Sequence, residues 1–273
     1  MPSSRDKMRL DVLLVERGYA DSAEMAARMI RAGQVWLGTG VLDKPGLQIR
    51  ADAPLEVRGL HDRFVSRGGW KLQAAIDTFP GLTPCPAVCA DIGSSTGGFT
   101  DCLLQHGARR VHAIDVGAGL IDLKLRNDPR VVLHERCNAR HLKPGDLGEP
   151  IDLVVSDVSF ISLSQILPAA AAILHLSGQA VVLVKPQFEA ASRDVEKGGV
   201  VRNLSVHRDV LKKVALVFAP ESGLYAVGLR LSPVKGPAGN REYLLWLSKD
   251  GPARIDADAI DQCVVSIADD MAK

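Results

Sequence analysis

The sequence predicts an α/β fold: a Rossmann-like, doubly wound, mostly parallel sheet with an antiparallel last strand, preceded by a small α+β unit. Three observations carry this. From Ala87 onward, short apolar runs alternate with helical patterns, as in a parallel sheet covered on both faces. The last two apolar runs, Tyr225–Leu229 and Tyr243–Leu247, have only a loop between them, which favours antiparallel pairing. Residues 1–60 instead read helix, helix, then small twisted sheet.

In the first unit, Leu10, Leu13 and Leu14 mark a short helix that ends at Arg17-Gly18. Asp21-Ser22 can cap a second helix, with Ala26, Met29 and Ile30 on one face and Gly33 past its end. Val35-Trp36-Leu37 and Val41-Leu42 form a hairpin about Gly38-Thr39-Gly40, and Leu55-Glu56-Val57 is a further strand. Residues 61–69 read as a polar linker. A helix from Trp70 to Phe79 enters the second unit, residues 70–250, and Pro80-Gly81 stops it. The expected strands there are Val88–Ile92, Val111–Val116, Val131–His134, Leu153–Ser156, Ala180–Val184, Tyr225–Leu229 and Tyr243–Leu247. Helices are expected at 97–106, 119–126, 163–174 and 204–218. The tail, 251–273, reads as a short surface helix or a frayed end.

Composition bounds the function. Of 273 residues, 47% are hydrophobic, enough for a sizeable core, and the net charge is only +1, which does not demand a nucleic-acid partner. The five cysteines lack disulfide or metal-ligand spacing, so no metal site is expected and the reduced cytoplasm is the expected compartment. No apolar leader and no membrane-spanning run is visible.

The strongest motif is Asp91-Ile92-Gly93-Ser94-Ser95-Thr96-Gly97-Gly98-Phe99, a strand running into a glycine-rich turn and a helix. Such a turn lets backbone approach a ligand closely. Asp115, ending the next strand, is placed to accept hydrogen bonds from a ribose diol. Together they point to a nucleoside-containing cofactor. Asp91 is awkward beside a pyrophosphate and suits a cationic amino-acid end, as in S-adenosylmethionine; the dinucleotide pattern G-x-G-x-x-G is absent. Asn138 and Ala139, past the third strand, and Asp157, past the fourth, complete the cofactor candidates.

Asp157 falls at the carboxyl end of the fourth strand, in Asp157-Val158-Ser159-Phe160. Base-amine methyltransferases carry a Pro-Pro-aromatic run there, and cytosine-carbon enzymes need a cysteine nucleophile; this chain has neither at that place. Lys185 follows the fifth strand, Lys71 lies in the entering helix and Glu242 opens the last strand. A ribose hydroxyl is a weak acid. A lysine with a pKa lowered by burial or cationic neighbours can take its proton, or a lysine can stabilise the alkoxide.

These runs, with Val65 to Leu72, Lys124 to Val131, Val184-Lys185-Pro186-Gln187-Phe188-Glu189 and Lys235-Gly236-Pro237, make the sequence similar to the TlyA family of ribosomal RNA methyltransferases, once called hemolysin A. The resemblance covers nearly all of residues 8–247. It implies an S4-type RNA-binding domain followed by an FtsJ-like class I methyltransferase domain, and a catalytic tetrad of Lys71, Asp157, Lys185 and Glu242. It also implies methylation of a cytidine ribose in ribosomal RNA of the small or large subunit, or both. Two departures stand out: Ala118-Gly119-Leu120-Ile121-Asp122-Leu123 lacks the family's usual aromatics, and Gly38-Thr39 replaces an Asn-Gly turn.

For RNA, Arg5, Lys7, Arg9, Arg28, Arg31, Arg63 and Arg67 can form a basic face, offset by neighbouring acids. Residues 185–213 carry seven Lys/Arg against four Asp/Glu. Phosphate contacts give affinity without sequence preference. Phe160 either stacks on an extruded base or packs into the core. Competing readings are a non-catalytic RNA-binding or assembly factor, a membrane-active hemolysin and, more distantly, a nicotinamide enzyme.

Overall fold

The computed structural model describes residues 7–17, 19–20, 22–57, 63–236 and 238–271. The Arg5, Gly18, Asp21 and Pro237 expectations lie outside these residues. The chain opens with β1 (Lys7–Arg9), α1 (Leu10–Glu16), α2 (Ala23–Arg31), β2 (Val35–Leu37), β3 (Gly40–Val41), β4 (Gln48–Arg50) and β5 (Leu55–Val57). The expected hairpin is β2–β3; β5 joins it on the other side, while β1 pairs antiparallel with β4. The pairing of β1 with β4 was not legible, because Lys7-Met8-Arg9 and Gln48-Ile49-Arg50 each offer a single apolar residue between polar ones. Leu10, Leu13, Leu14, Ala26, Met29, Ile30 and Val35 form the core of this unit. Ser22 caps α2 by accepting the Met25 N–H at 3.1 Å, and Gly33, at φ +73°, turns the chain after it.

After α3 (Gly68–Thr78) come β6 (Val88–Ile92), α4 (Gly98–Gln105), β7 (Arg110–Ile114), α5 (Leu123–Arg126), β8 (Val131–His134), β9 (Ile151–Ser156), α6 (Leu167–Ile173) and β10 (Leu174–Val184). The chain continues through α7 (Pro186–Glu189), α8 (Leu204–Lys213), α9 (Ala219–Glu221), β11 (Tyr225–Leu231), β12 (Tyr243–Ser248) and α10 (Ala257–Met271). The seven-stranded sheet runs β11-β12-β10-β9-β6-β7-β8. Only β12 runs antiparallel, inserted between β10 and β11. Two apolar layers cover the two faces of the sheet, and every residue of β6 is buried between them. The parallel strands β10, β9, β6 and β7 therefore end together at one carboxyl edge, where ligands of such sheets bind.

Three expectations need correction. Helix 119–126 shrinks to α5, because Asp122 caps it at the Lys124 N–H (2.8 Å) and its own N–H is tied to Thr96 O, holding 117–121 as a loop against the glycine turn. Helix 163–174 breaks into a 3-10 turn and α6, and the fifth strand starts early, at Leu174. There Lys249 Nζ caps the carbonyls of Ala171 and Leu174 at 2.7 and 3.0 Å. The tail is a 15-residue helix rather than a frayed end. Ile260 and Val264 are fully buried in the sheet's core, and Asp261 meets Arg208 and Lys212 of α8 at 2.9 and 3.0 Å. An Ile260→Ala substitution should destabilise the protein by about 2–5 kcal/mol, read from chemical denaturation. A loss below about 0.5 kcal/mol would show that α10 is not part of the folded core.

Candidate active site

Four charged side chains from four separate elements meet at the carboxyl edge. Asp157, just past β9, lies between two lysines: Lys71 Nζ, from α3, is 3.2 Å from its Oδ2, and Lys185 Nζ, at the end of β10, is 2.6 Å from its Oδ1. Lys71 also donates to Glu242 Oε2 at 2.8 Å. The Lys185–Asp157 contact is an ion pair off the hydrogen-bond axis; the aligned donor of Lys185 goes to Ser159 Oγ at 2.9 Å. Lys71, Lys185 and Glu242 are buried, and the Asp157 side chain is one-fifth exposed. β12 delivers Glu242 because it is inserted beside β10, where Tyr243 pairs with Val184.

Electrostatics fix the charge states. Burial opposes the Asp157 carboxylate, but Lys71 and Lys185 outweigh it and hold the acid well below the usual carboxylate range. Burial likewise opposes the Lys71 ammonium, and Asp157 and Glu242 outweigh it, so its pKa is raised. The expectation of a lysine with a lowered pKa therefore fails at Lys71, which is a fixed cation. A buried charge is tolerated only when paired in this way.

The glycine turn lines the same cleft, whose volume is about 910 Å³. Asp91 Oδ2 accepts from the Thr100 N–H (3.0 Å) and hydroxyl (2.7 Å), while its Oδ1 is buried with no partner among the described residues. Burial pushes this acid up to about 7, with Thr100 opposing and the Asp157 and Asp115 charges adding. Asp115 accepts from the Ser95 N–H at 2.9 Å and the Gly117 N–H at 2.7 Å, and each oxygen keeps a second lone pair. Gly93, Ser94, Ser95, Thr96, Gly98 and Phe99 line the cleft, as do Asn138 and Ala139. Gly97 does not. At φ +94° it turns the chain into α4, and a Cβ there would sit 2.3 Å from Leu125 Cδ1, so its role is in the turn and its packing. Ser95 and Phe160 hold left-handed backbone on either side of the cleft, at φ 48° and 63°.

The orphaned Asp91 oxygen, the close-approach turn and the paired acceptors of Asp115 fit a cofactor with a cationic amino-acid end and a ribose. Phe160 is 90% exposed, which rules out the core-packing alternative; its ring lies 5.0 Å from that of Phe188.

The basic residues divide. Arg31 and Arg67 line the cleft, joined by Lys44, Arg140 and Lys235, which had not been singled out for this role. Arg67 packs so tightly on the first unit that a Cβ at Gly33 would lie 2.4 Å from its Nε. Lys7, Arg9, Arg28 and Arg63 do not line the cleft. Arg9 pairs with Asp11 at 2.7 Å, and Arg63 sits over the Phe64 ring and reaches Gln105. Sequence reasoning also missed Ser159, Thr100 and Glu189. Glu189 accepts from the Ser162 hydroxyl and the Leu163 N–H, both at 2.7 Å, and so fixes the loop that follows Asp157. A hydroxyl two residues after a strand-end carboxylate was the available signal for Ser159.

The FtsJ-like methyltransferase family model matches residues 64–249 and the S4 domain model residues 8–54. The chain is thus an FtsJ-like methyltransferase carrying an S4 domain. YqxC of Bacillus subtilis is 45% identical, with 98% of this chain and 95% of that protein covered. The 16S/23S rRNA (cytidine-2′-O)-methyltransferase TlyA of Mycobacterium tuberculosis is 42% identical, covering 94% and 96%. A solved structure from Streptococcus thermophilus, described as a hemolysin, is 40% identical with a TM-score of 0.76 and 98% of both chains covered. The chain belongs to the TlyA family.

The Asp157 carboxylate stabilises the fold only while ionised. Its depressed pKa means that this stability is present above the ordinary carboxylate value and is lost as pH falls below it. Acid titration of the melting temperature should show Asp157→Asn already destabilised at pH 7 and losing less than the parent protein between pH 5 and pH 3. Parallel acid profiles for the two proteins would contradict the ion-paired cluster.

Proposed function

We propose that this protein transfers a methyl group from S-adenosylmethionine to the ribose 2′-hydroxyl of a cytidine in 16S rRNA, 23S rRNA or both, within ribosomal subunits in the cytoplasm. The observation that carries this is the Lys71–Asp157–Lys185–Glu242 cluster in a cleft that Asp91, with its unpartnered oxygen, also lines. The activity named for the Mycobacterium tuberculosis relative has the same acceptor chemistry.

When bound, S-adenosylmethionine supplies an electrophilic methyl group. Asp91 and Asp115 would hold its cationic and ribose portions, with residues 93–99, Asn138 and Ala139 shaping the pocket. A buried acid titrating near 7 gives up its proton readily when a cation approaches its free oxygen. At the acceptor end, the Lys185 ammonium stabilises the developing alkoxide while the oxygen bonds to the methyl carbon, the carbon–sulfur bond breaks and the hydroxyl proton passes to solvent water. Asp157 and Ser159 aim that ammonium, and Lys71, locked between Asp157 and Glu242, keeps Asp157 ionised. The S4 domain, within residues 1–60, holds rRNA through phosphate contacts, with Arg31, Lys44 and Arg67 at the mouth of the cleft. The described part, 63–69, of the stretch expected as a linker at 61–69 is instead tied to the second unit, with Phe64 in its core and α3 starting at Gly68. Phe160 stacks on the base extruded to reach it. No described helix is long and apolar enough to cross a membrane. The complete cluster argues against a non-catalytic assembly factor.

The test is incubation with labelled S-adenosylmethionine and separately purified small and large subunits, followed by alkaline cleavage mapping. Label should arrive at a nucleotide whose 3′ linkage becomes resistant to alkali. Label on a base would overturn the acceptor assignment.

A further inference from the structure

Gln187 is the second residue of the four-residue α7, directly after Lys185 and Pro186, and its side chain lines the cleft. Its Oε1 is buried and has no partner among the described residues. A buried amide oxygen without a partner costs about 1–3 kcal/mol, so a bound group that satisfies it contributes selectively.

Strand order shows which side of the cleft this residue stands on. The cofactor candidates Asp91 and Asp115 belong to β6 and to the end of β7, whereas Gln187 follows β10. Asp157, after β9, stands between the two groups, and β10 lies on the side of β9 away from β6. Gln187 is therefore on the acceptor side of the tetrad. Its chain neighbour Phe188 has its ring 5.0 Å from Phe160 and 5.9 Å from Lys185 Nζ, so two aromatic rings stand beside the lysine. Rings there suit the flat faces of a nucleobase and an acceptor oxygen suits its edge.

We propose that Gln187 selects the target base by accepting a hydrogen bond from an exocyclic amino group at Oε1. Cytosine offers such a donor on its Watson–Crick edge, where uracil offers a carbonyl oxygen. Two facing acceptors repel, so a uridine ribose is presented poorly even though its hydroxyl is the same. Gln187 is a positioning and specificity residue and takes no part in proton movement. The assignment rests on the proposed rRNA methylation.

The experiment compares kcat/KM on subunits bearing cytidine or uridine at the mapped nucleotide, using the full-length protein and its Gln187→Met and Gln187→Glu variants. The parent should prefer cytidine by about tenfold to a hundredfold, the scale of one buried hydrogen bond. Gln187→Met, similar in length but without the amide, should lose most of that preference by falling on cytidine alone. Gln187→Glu keeps an acceptor and should keep the preference. The shift in melting temperature with S-adenosylmethionine should be unchanged in both variants, which separates base selection from misfolding. A parent preference for uridine, or an unchanged preference in Gln187→Met, overturns the assignment of Gln187 and leaves the proposed function standing. No transfer by the parent protein to either subunit overturns both.

Discussion

The buried Asp157 carboxylate, held between two ammonium groups, is the constraint on which the carboxyl edge of the sheet depends. Its partners arrive from α3 and β10, and the third acidic-basic contact brings in β12 through Glu242. None of these charges is tolerable alone in its position. Each therefore fixes the approach of the others, and the last strand must be inserted beside β10 for Glu242 to reach Lys71. The sheet topology and the chemistry of the site are one requirement seen at two scales.

The same edge holds two electrostatic environments. Around Asp157 the charges compensate, so its carboxylate is ionised over the whole neutral range. At Asp91 burial outweighs the help of Thr100, and the acid titrates near 7 with one oxygen unsatisfied. The first environment needs no ligand to be complete; the second does. That asymmetry sets a charge-compensated cluster around Asp157 apart from a buried acid at Asp91 with one oxygen unpartnered among the described residues. The first unit borders the same cleft through Arg31 and Lys44, and Arg67 packs against Gly33, so the S4 domain stands beside the Asp157 cluster.

Much of this was legible in the sequence because it rests on local rules. The five buried residues of β6, the glycine turn after them and the strand-end positions of Asp157 and Lys185 follow from apolar runs and their boundaries. The convergence of Lys71 with Glu242, 171 residues away, was legible as two residues placed at one sheet edge, and as a tetrad through family resemblance. What escaped depends on tertiary partners. Asp122 and Thr96 hold as a loop a stretch that reads helical, and Lys249 ends α6 from a distant strand. The burial of Ile260 turns an acidic, alanine-rich tail into part of the core. Gly97 looked like a cofactor contact because glycine-rich turns often are; here its neighbours touch the cleft and it supplies the bend.

The central claim is that Lys185 acts on the acceptor oxygen rather than on cofactor binding or folding. Single-turnover methyl transfer by Lys185→Ala, measured beside its affinity for S-adenosylmethionine, tests this most directly. The rate should fall by about a hundredfold or more, as for loss of one oxyanion-stabilising group, with the affinity unchanged. Transfer at the parent rate would contradict it.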